Sequence, residues 1–210
     1  MSASEPLNGT SRLERLRAQP RRPGEASFFY YDAHFRNEAV KVLPGEHFVH
    51  DEDILVMTTL GSCIAACLWD RDRRIGGMNH FMLPDGDSGR YGSFAMELLI
   101  NELLRRGASR FTLEAKVFGG GAVVSGMSSL NVGERNTGFV LDYLRTERIP
   151  VVSKDVLGVH PRKVCLLPAS GKAMVKRLQL GNADALLAQE RAAAARPVPD
   201  ASGAGSIDLF

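Results

Sequence analysis

Two side chains suited to nucleophilic chemistry lie seventeen residues apart: Cys63 in "LGSCIAACLWD" and His80 in "GGMNHFMLP". An imidazole beside a thiol is the usual means of making a thiolate near neutral pH, and the thiolate is the reactive form. Cysteine is also among the residue types most often buried for packing, so residue type alone leaves both readings open. Spacing adds an argument for contact. If residues 63–70 and 75–83 form a hairpin turning between Arg71 and Asp72, facing residues have numbers summing to 143. Leu68 then faces Ile75, Ala65 faces Met78, and Cys63 faces His80, with Cβ atoms about 5 Å apart. A slip of two residues would still keep both on one face, because the pleat has a period of two.

The neighbours of Cys63 extend the constellation. Gly61 and Ser62 precede it where the chain turns into a strand, and backbone N–H groups of Ser62 and Cys63 are candidates for an oxyanion hole. Gly61 allows a backbone conformation that a Cβ would forbid. Thr58 and Thr59 end the preceding strand, where a hydroxyl or carbonyl can accept from the second imidazole nitrogen and fix its tautomer. Thr58 is the first choice and Thr59 the second. Gly61, Asn79, Gly119 and Gly120 are the candidate substrate contacts. "FGGGA" lacks the Lys-Ser/Thr of a phosphate loop and reads as a flexible turn, either a plain loop or a glycine-lined approach to the backbone. Asn131 and Asn136 are expected to start and support a helix by local hydrogen bonds. His160 reads as a loop histidine, with Arg162 helping to shape the site. Cys67 shares a face with Cys63 but lies about 13 Å along the strand, too far for a disulfide, and Cys165 reads as core. No metal site is expected, since C-x3-C followed by one distant cysteine is not a zinc spacing.

The elements that must position these residues follow from periodicity. Strands are predicted at 54–59, 63–70 and 75–83. A helix over 93–106 is capped by Ser93 and ended by Gly107. Alternating residues 111–118 form a half-buried strand, "GGG" at 119–121 breaks it, and a second helix runs from about 133 to 147. Strands at 150–155, 163–168 and 173–178 complete the domain. This order predicts a mixed α/β fold with largely antiparallel pairing, not regular βαβ units. One domain is expected over 27–180, after a disordered basic tail at 1–26 and before an Ala-rich, then Pro/Gly/Ser-rich tail at 181–210. Hydrophobic content of 44% suffices for one core, and a net charge of +2 without a dense basic run argues against nucleic acid. Three cysteines without framework spacing, no signal-peptide core and no spanning apolar run point to a reducing, cytoplasmic setting without membrane insertion.

Taken together, "GSCIAACLWD", "GGMNHFMLP", "RYGSFAMELLINELLRRGA", "LEAKVFGGG", the N-x-G-x-x-N at Asn131, Gly133 and Asn136, and "HPRKVCLLPASGKAMVKRL" resemble the chemoreceptor glutamine deamidases, the CheD family. The resemblance covers Tyr31 to Leu178. It implies a protein-glutamine glutaminase that converts glutamines of chemotaxis receptors to glutamate and releases ammonia. It also implies an α/β sandwich like the catalytic domains of deamidating toxins, with no cofactor. Carried onto matching positions, Cys63 is the nucleophile and His80 the general base. The third family residue is a threonine upstream; six residues before the cysteine this chain has Met57, with threonines one and two positions later. The implied partners are the cytoplasmic domains of receptors and a CheC-type phosphatase. The alternative function is an adaptor that binds those partners with minor catalysis.

Overall fold

A computed structural model describes residues 11–82, 89–123, 127–179 and 188. The elements are α1 (Arg12–Ala18), β1 (Phe28–Asp32), β2 (Asn37–Lys41), β3 (His47–His50), β4 (Leu55–Leu60), β5 (Ile64–Asp70), β6 (Ile75–Asn79), α2 (Gly89–Arg105), β7 (Leu113–Gly119), α3 (Met127–Thr146), β8 (Val151–Val156), β9 (Arg162–Leu167) and β10 (Lys172–Arg177). Two five-stranded sheets stack face to face, ordered β1-β2-β4-β9-β10 and β3-β6-β5-β7-β8. Pairing is antiparallel except between β2 and β4 and between β7 and β8. The mixed, largely antiparallel α/β class predicted from the element order is the class observed.

Alternation along β5 builds both layers. Ala65 and Cys67 face the other sheet with Phe48, Val56, Met78 and Val164, while Ile64, Ala66 and Leu68 face the helices. On α2, the fully buried Met96, Leu99, Ile100 and Leu103 fill that helical layer, each contributing about 1.5–3 kcal/mol relative to exposure. Gly107 ends α2 in the left-handed region, φ +95, and Ala108 N–H closes onto the Leu103 carbonyl at 3.0 Å. The only tryptophan in the chain, Trp69, bridges the sheets: its indole lies against Gly171 in the β9–β10 turn and its Nε1–H donates to the Ala169 carbonyl at 3.3 Å. Among the described residues no helix is long and apolar enough to cross a membrane.

Several expectations change. Residues 11–26, expected as disordered tail, belong to the fold: Ser11 and Glu14 form a capping box on α1, Leu16 is buried, and Glu25 bridges to His47. Polar composition hid an amphipathic turn that packs Leu13 and Leu16 against the core. The stretch 181–210 lies outside the described residues apart from Ala188. Helix α2 begins at Gly89, which places Ser93 inside it and not at its cap, and α3 begins at Met127. The β5–β6 register also differs: Asp70 pairs with Ile75 and Cys67 with Met78, so facing numbers sum to 145. A four-residue turn, Arg71 to Arg74, takes the place of a tighter one, and the Asp70 carboxylate fixes it by accepting from Asp72 N–H at 2.9 Å and Arg73 N–H at 3.0 Å.

Candidate active site

Cys63 sits in the connection from β4 to β5, fully buried as a free thiol. Three successive carbonyls at this connection are tied off by distant partners. The Gly61 carbonyl accepts from Gly121 N–H, and that of Cys63 from Gly120 N–H, each at 2.8 Å. The Ser62 carbonyl accepts from the buried Asn136 Nδ2 at 2.8 Å. In a planar trans peptide the C=O and the following N–H point in opposite directions. The N–H groups of Ser62 and Cys63 are therefore turned away from the glycine strip and α3.

The glycine strip permits this arrangement only because it has no side chains. A Cβ on Gly119 would lie 2.1 Å from the Cys63 carbonyl oxygen, and φ there is +112. A Cβ on Gly120 would lie 2.2 Å from Thr137 Oγ1, and one on Gly133 2.3 Å from the Gly120 oxygen. Gly119 and Gly120, expected as substrate contacts, thus pack against the Cys63 turn and Thr137. Gly61, through its carbonyl, belongs to the same turn.

His80 follows β6, and its backbone is held on both sides: its N–H donates to Glu46 O at 3.0 Å and its carbonyl accepts from Gly45 N–H at 2.7 Å. Ile64 and Phe81 exchange backbone hydrogen bonds at 2.9 Å each. In that register Cys63 and His80 are diagonal neighbours on one face, not directly opposed, with Cα atoms about 7–8 Å apart in a regular ladder.

Thr58 Oγ1 lies 2.8 Å from His80 Nδ1 and donates to the Val42 carbonyl at 2.8 Å. A hydroxyl has one hydrogen. With it committed to Val42, Thr58 accepts from His80 Nδ1–H, which leaves the lone pair on Nε2. This tautomer follows from the hydrogen-bond network. Strand parity separates the two threonines: Val56, Thr58 and Leu60 are buried toward the opposite sheet. Thr59 is half-buried opposite Lys163, and both threonines line a cavity of about 160 Å³ with Tyr30, Lys41, Met57 and Lys163. Of the two candidates, only Thr58 is hydrogen-bonded to His80.

Asn79, expected as a substrate contact, is buried and hydrogen-bonded within the fold. Its Oδ1 accepts from Ala66 N–H at 3.0 Å and its Nδ2 donates to the Ala95 carbonyl at 3.1 Å, so this buried amide pins α2 to β5. Asn136 departs from its expected local role by reaching Ser62, and no pattern at a separation of 74 residues announces that bond. Tyr91, at the start of α2, was not anticipated either: burial and then the neighbouring Cys63 push its phenol above the ordinary range. Burial also pushes the Cys67 thiol far up, and that of Cys165 up to about 12. Arg162 is buried in a network with Asp155, and His160 is exposed on the adjacent loop. Among the described residues no group of three His, Cys, Asp or Glu can hold a metal ion.

These features define a two-sheet α/β protein with cysteine, histidine and threonine gathered at one end of the sandwich. Residues 82–177 match the family model described as CheD chemotactic sensory transduction. The chain is 63% identical over 204 residues to "Probable chemoreceptor glutamine deamidase CheD 1" of Albidiferax ferrireducens, covering 95% of this chain and 87% of that one. It is 53% identical to the protein of the same name in Dechloromonas aromatica, over 86% of this chain and 93% of the other. It is 50% identical to "Probable chemoreceptor glutamine deamidase CheD" of a Janthinobacterium species, over 88% and 95%. The chain belongs to the CheD family.

Proposed function

We propose that this chain is a chemoreceptor glutamine deamidase, a hydrolase of side-chain amides that works through Cys63 and His80. The observation that carries the reading is the 2.8 Å contact between Thr58 Oγ1 and His80 Nδ1, which supports a tautomer with the lone pair on Nε2.

Nε2 takes the Cys63 proton, and the thiolate attacks the amide carbon of a receptor glutamine. The carbonyl electron pair moves onto oxygen, where Ser62 and Cys63 N–H groups stabilise the charge. Imidazolium His80 then gives its proton to the amide nitrogen, the C–N bond breaks, and ammonia leaves a thioester. Neutral His80 next takes a proton from water, hydroxide adds to the thioester, and the C–S bond breaks as imidazolium His80 gives its proton back to the sulfur. One glutamine and one water become one glutamate and one ammonia. Thr58 acts by orienting the imidazole and stabilising its charged form.

The test compares the protein with its Cys63→Ala and Thr58→Val variants on a receptor cytoplasmic fragment, reading glutamine-to-glutamate conversion by peptide mass spectrometry. Conversion should vanish in Cys63→Ala and fall about a hundredfold in Thr58→Val, with Thr59→Val near wild type. Equal conversion by Cys63→Ala and wild type would reject the thiol mechanism. Methanol release without ammonia would reject deamidation in favour of esterase chemistry.

A further inference from the structure

The outer face of β4 carries a cavity that the chemistry above does not use. Along β2 and β4, Val40, Val42 and Val56 point into the core between the sheets. Ala39 and Met57 alternate to the other face, where they cluster with Leu55, Cys165 and Tyr30. By the same alternation Lys41 and Thr59 point outward, as does Lys163, which pairs with Thr59 from β9. Tyr30, Lys41, Thr59 and Lys163 thereby meet around a space of about 160 Å³ that Met57 and Thr58 also line.

The chemistry of this lining is one-sided. Among the described residues two lysines line the cavity and no carboxylate does. Neither Lys41, which is half-buried, nor Lys163 has a side-chain hydrogen bond or ion pair among those residues, and the Thr59 hydroxyl has no partner there. The Tyr30 hydroxyl donates to Met57 Sδ at 3.1 Å, a weak acceptor that a charged oxygen would displace. Burial and then Asp32 push the Tyr30 phenol above its ordinary value, so at neutral pH it is a donor. The Asp32 carboxylate is engaged at its own turn, accepting from the N–H groups of His34 at 3.0 Å and Phe35 at 3.1 Å.

Two cations and two hydroxyl donors around one space complement a group with two negative charges and several acceptor oxygens. A carboxylate brings one charge, whereas a phosphate monoester brings about −1.5 to −2 at pH 7 and three acceptor oxygens. The cavity also backs onto the contact that orients His80. Val42, next to Lys41, donates its N–H to the Met57 carbonyl and accepts the Thr58 hydroxyl, each at 2.8 Å.

We propose that this cavity is a binding site for the phosphoryl group of a small phosphate monoester, held by Lys41 and Lys163 together with the Tyr30 and Thr59 hydroxyls. The ligand would sit one sheet thickness from the Thr58–His80 pair. The site stands apart from the deamidase reading, because its test reads binding and not conversion.

The test titrates the full chain with methyl phosphate and, separately, with inorganic phosphate at constant low ionic strength, following backbone amide shifts by NMR. Expected are saturable shifts at Lys41, Thr59 and Lys163. Lys41→Gln and Lys163→Gln should each weaken binding about tenfold, and Tyr30→Phe about threefold. Lys176→Gln, paired with Lys163 on β10 but outside the cavity, should bind as wild type does. Saturation by inorganic phosphate alone would overturn the monoester as ligand. Shifts that chloride reproduces, or an equal loss in Lys176→Gln, would overturn the site as mere attraction to a basic surface. The absence of any saturable shift would overturn it outright.

Discussion

Strand β5 is anchored at its Asp70 end by a side chain and at its Cys63 end by carbonyl partners drawn from elsewhere in the fold. At Asp70, one buried carboxylate collects the N–H groups of Asp72, Arg73 and, at 2.6 Å, Ser109. Backbone donors are consumed there, and the turn is closed to any ligand that needs them. At Cys63, three carbonyls are occupied by Gly121, Asn136 and Gly120, and the N–H groups of Ser62 and Cys63 are turned the other way. Backbone acceptors are consumed there. The same peptide chemistry, tied off from opposite sides, yields a structural turn at one end and a polarised one at the other.

The comparison breaks most severely at Gly119. A Cβ there meets the Cys63 oxygen at 2.1 Å, so Gly119→Ala must displace the turn. Conversion should fall to background, with about 1–3 kcal/mol lost in stability, read by the deamidation assay and by urea unfolding. Next comes Asn136→Leu, which fills the space but removes the donor to Ser62. A buried carbonyl left without that donor costs about 1–3 kcal/mol, and the shifted turn should lower kcat about tenfold to a hundredfold with little change in KM. Retention of full kcat would show that the glycine strip alone holds the turn.

The smallest effect on catalysis is expected at the other end of the strand. Asp70→Asn should leave kcat and KM unchanged while lowering the melting temperature at neutral pH. Burial acts to raise the Asp70 pKa, but the N–H groups of Ser109, Arg73 and Asp72, together with the Thr112 hydroxyl, outweigh it, so the folded value lies below the ordinary one. Its stabilisation is therefore fully present above the unfolded carboxyl value, about 3.9. It is lost as pH falls through the lower folded value. The gap between wild-type and Asp70→Asn melting temperatures should narrow in that acid range. A gap that widens there would invert the assignment.

Much of this was legible before folding. The period of two in a strand put Cys63 and His80 on one face even with the register misplaced by two residues, because the misread turn changed the sum of paired numbers by an even amount. Parity likewise ranks Thr58 above Thr59, since Thr58 continues the inward series of Val56 and Leu60. Asp70, a side chain able to cap its own turn, was the local sign of the longer connection. The bonds from Asn136 and the glycine strip to the Cys63 turn were beyond reach, since each joins residues tens of positions apart and depends on how α3 crosses β7. Strands β1 to β3 and helix α1 are short and draw their stability from tertiary contact, which a local window does not register.

The single indole of Trp69, wedged against Gly171 across the two sheets, makes the protein its own spectroscopic gauge. Its emission reports on the seam between the sheets and not on the Cys63 end. A red shift on adding denaturant should mark the moment the β9–β10 hairpin parts from β5. Substrate added to the folded protein should leave that emission unchanged.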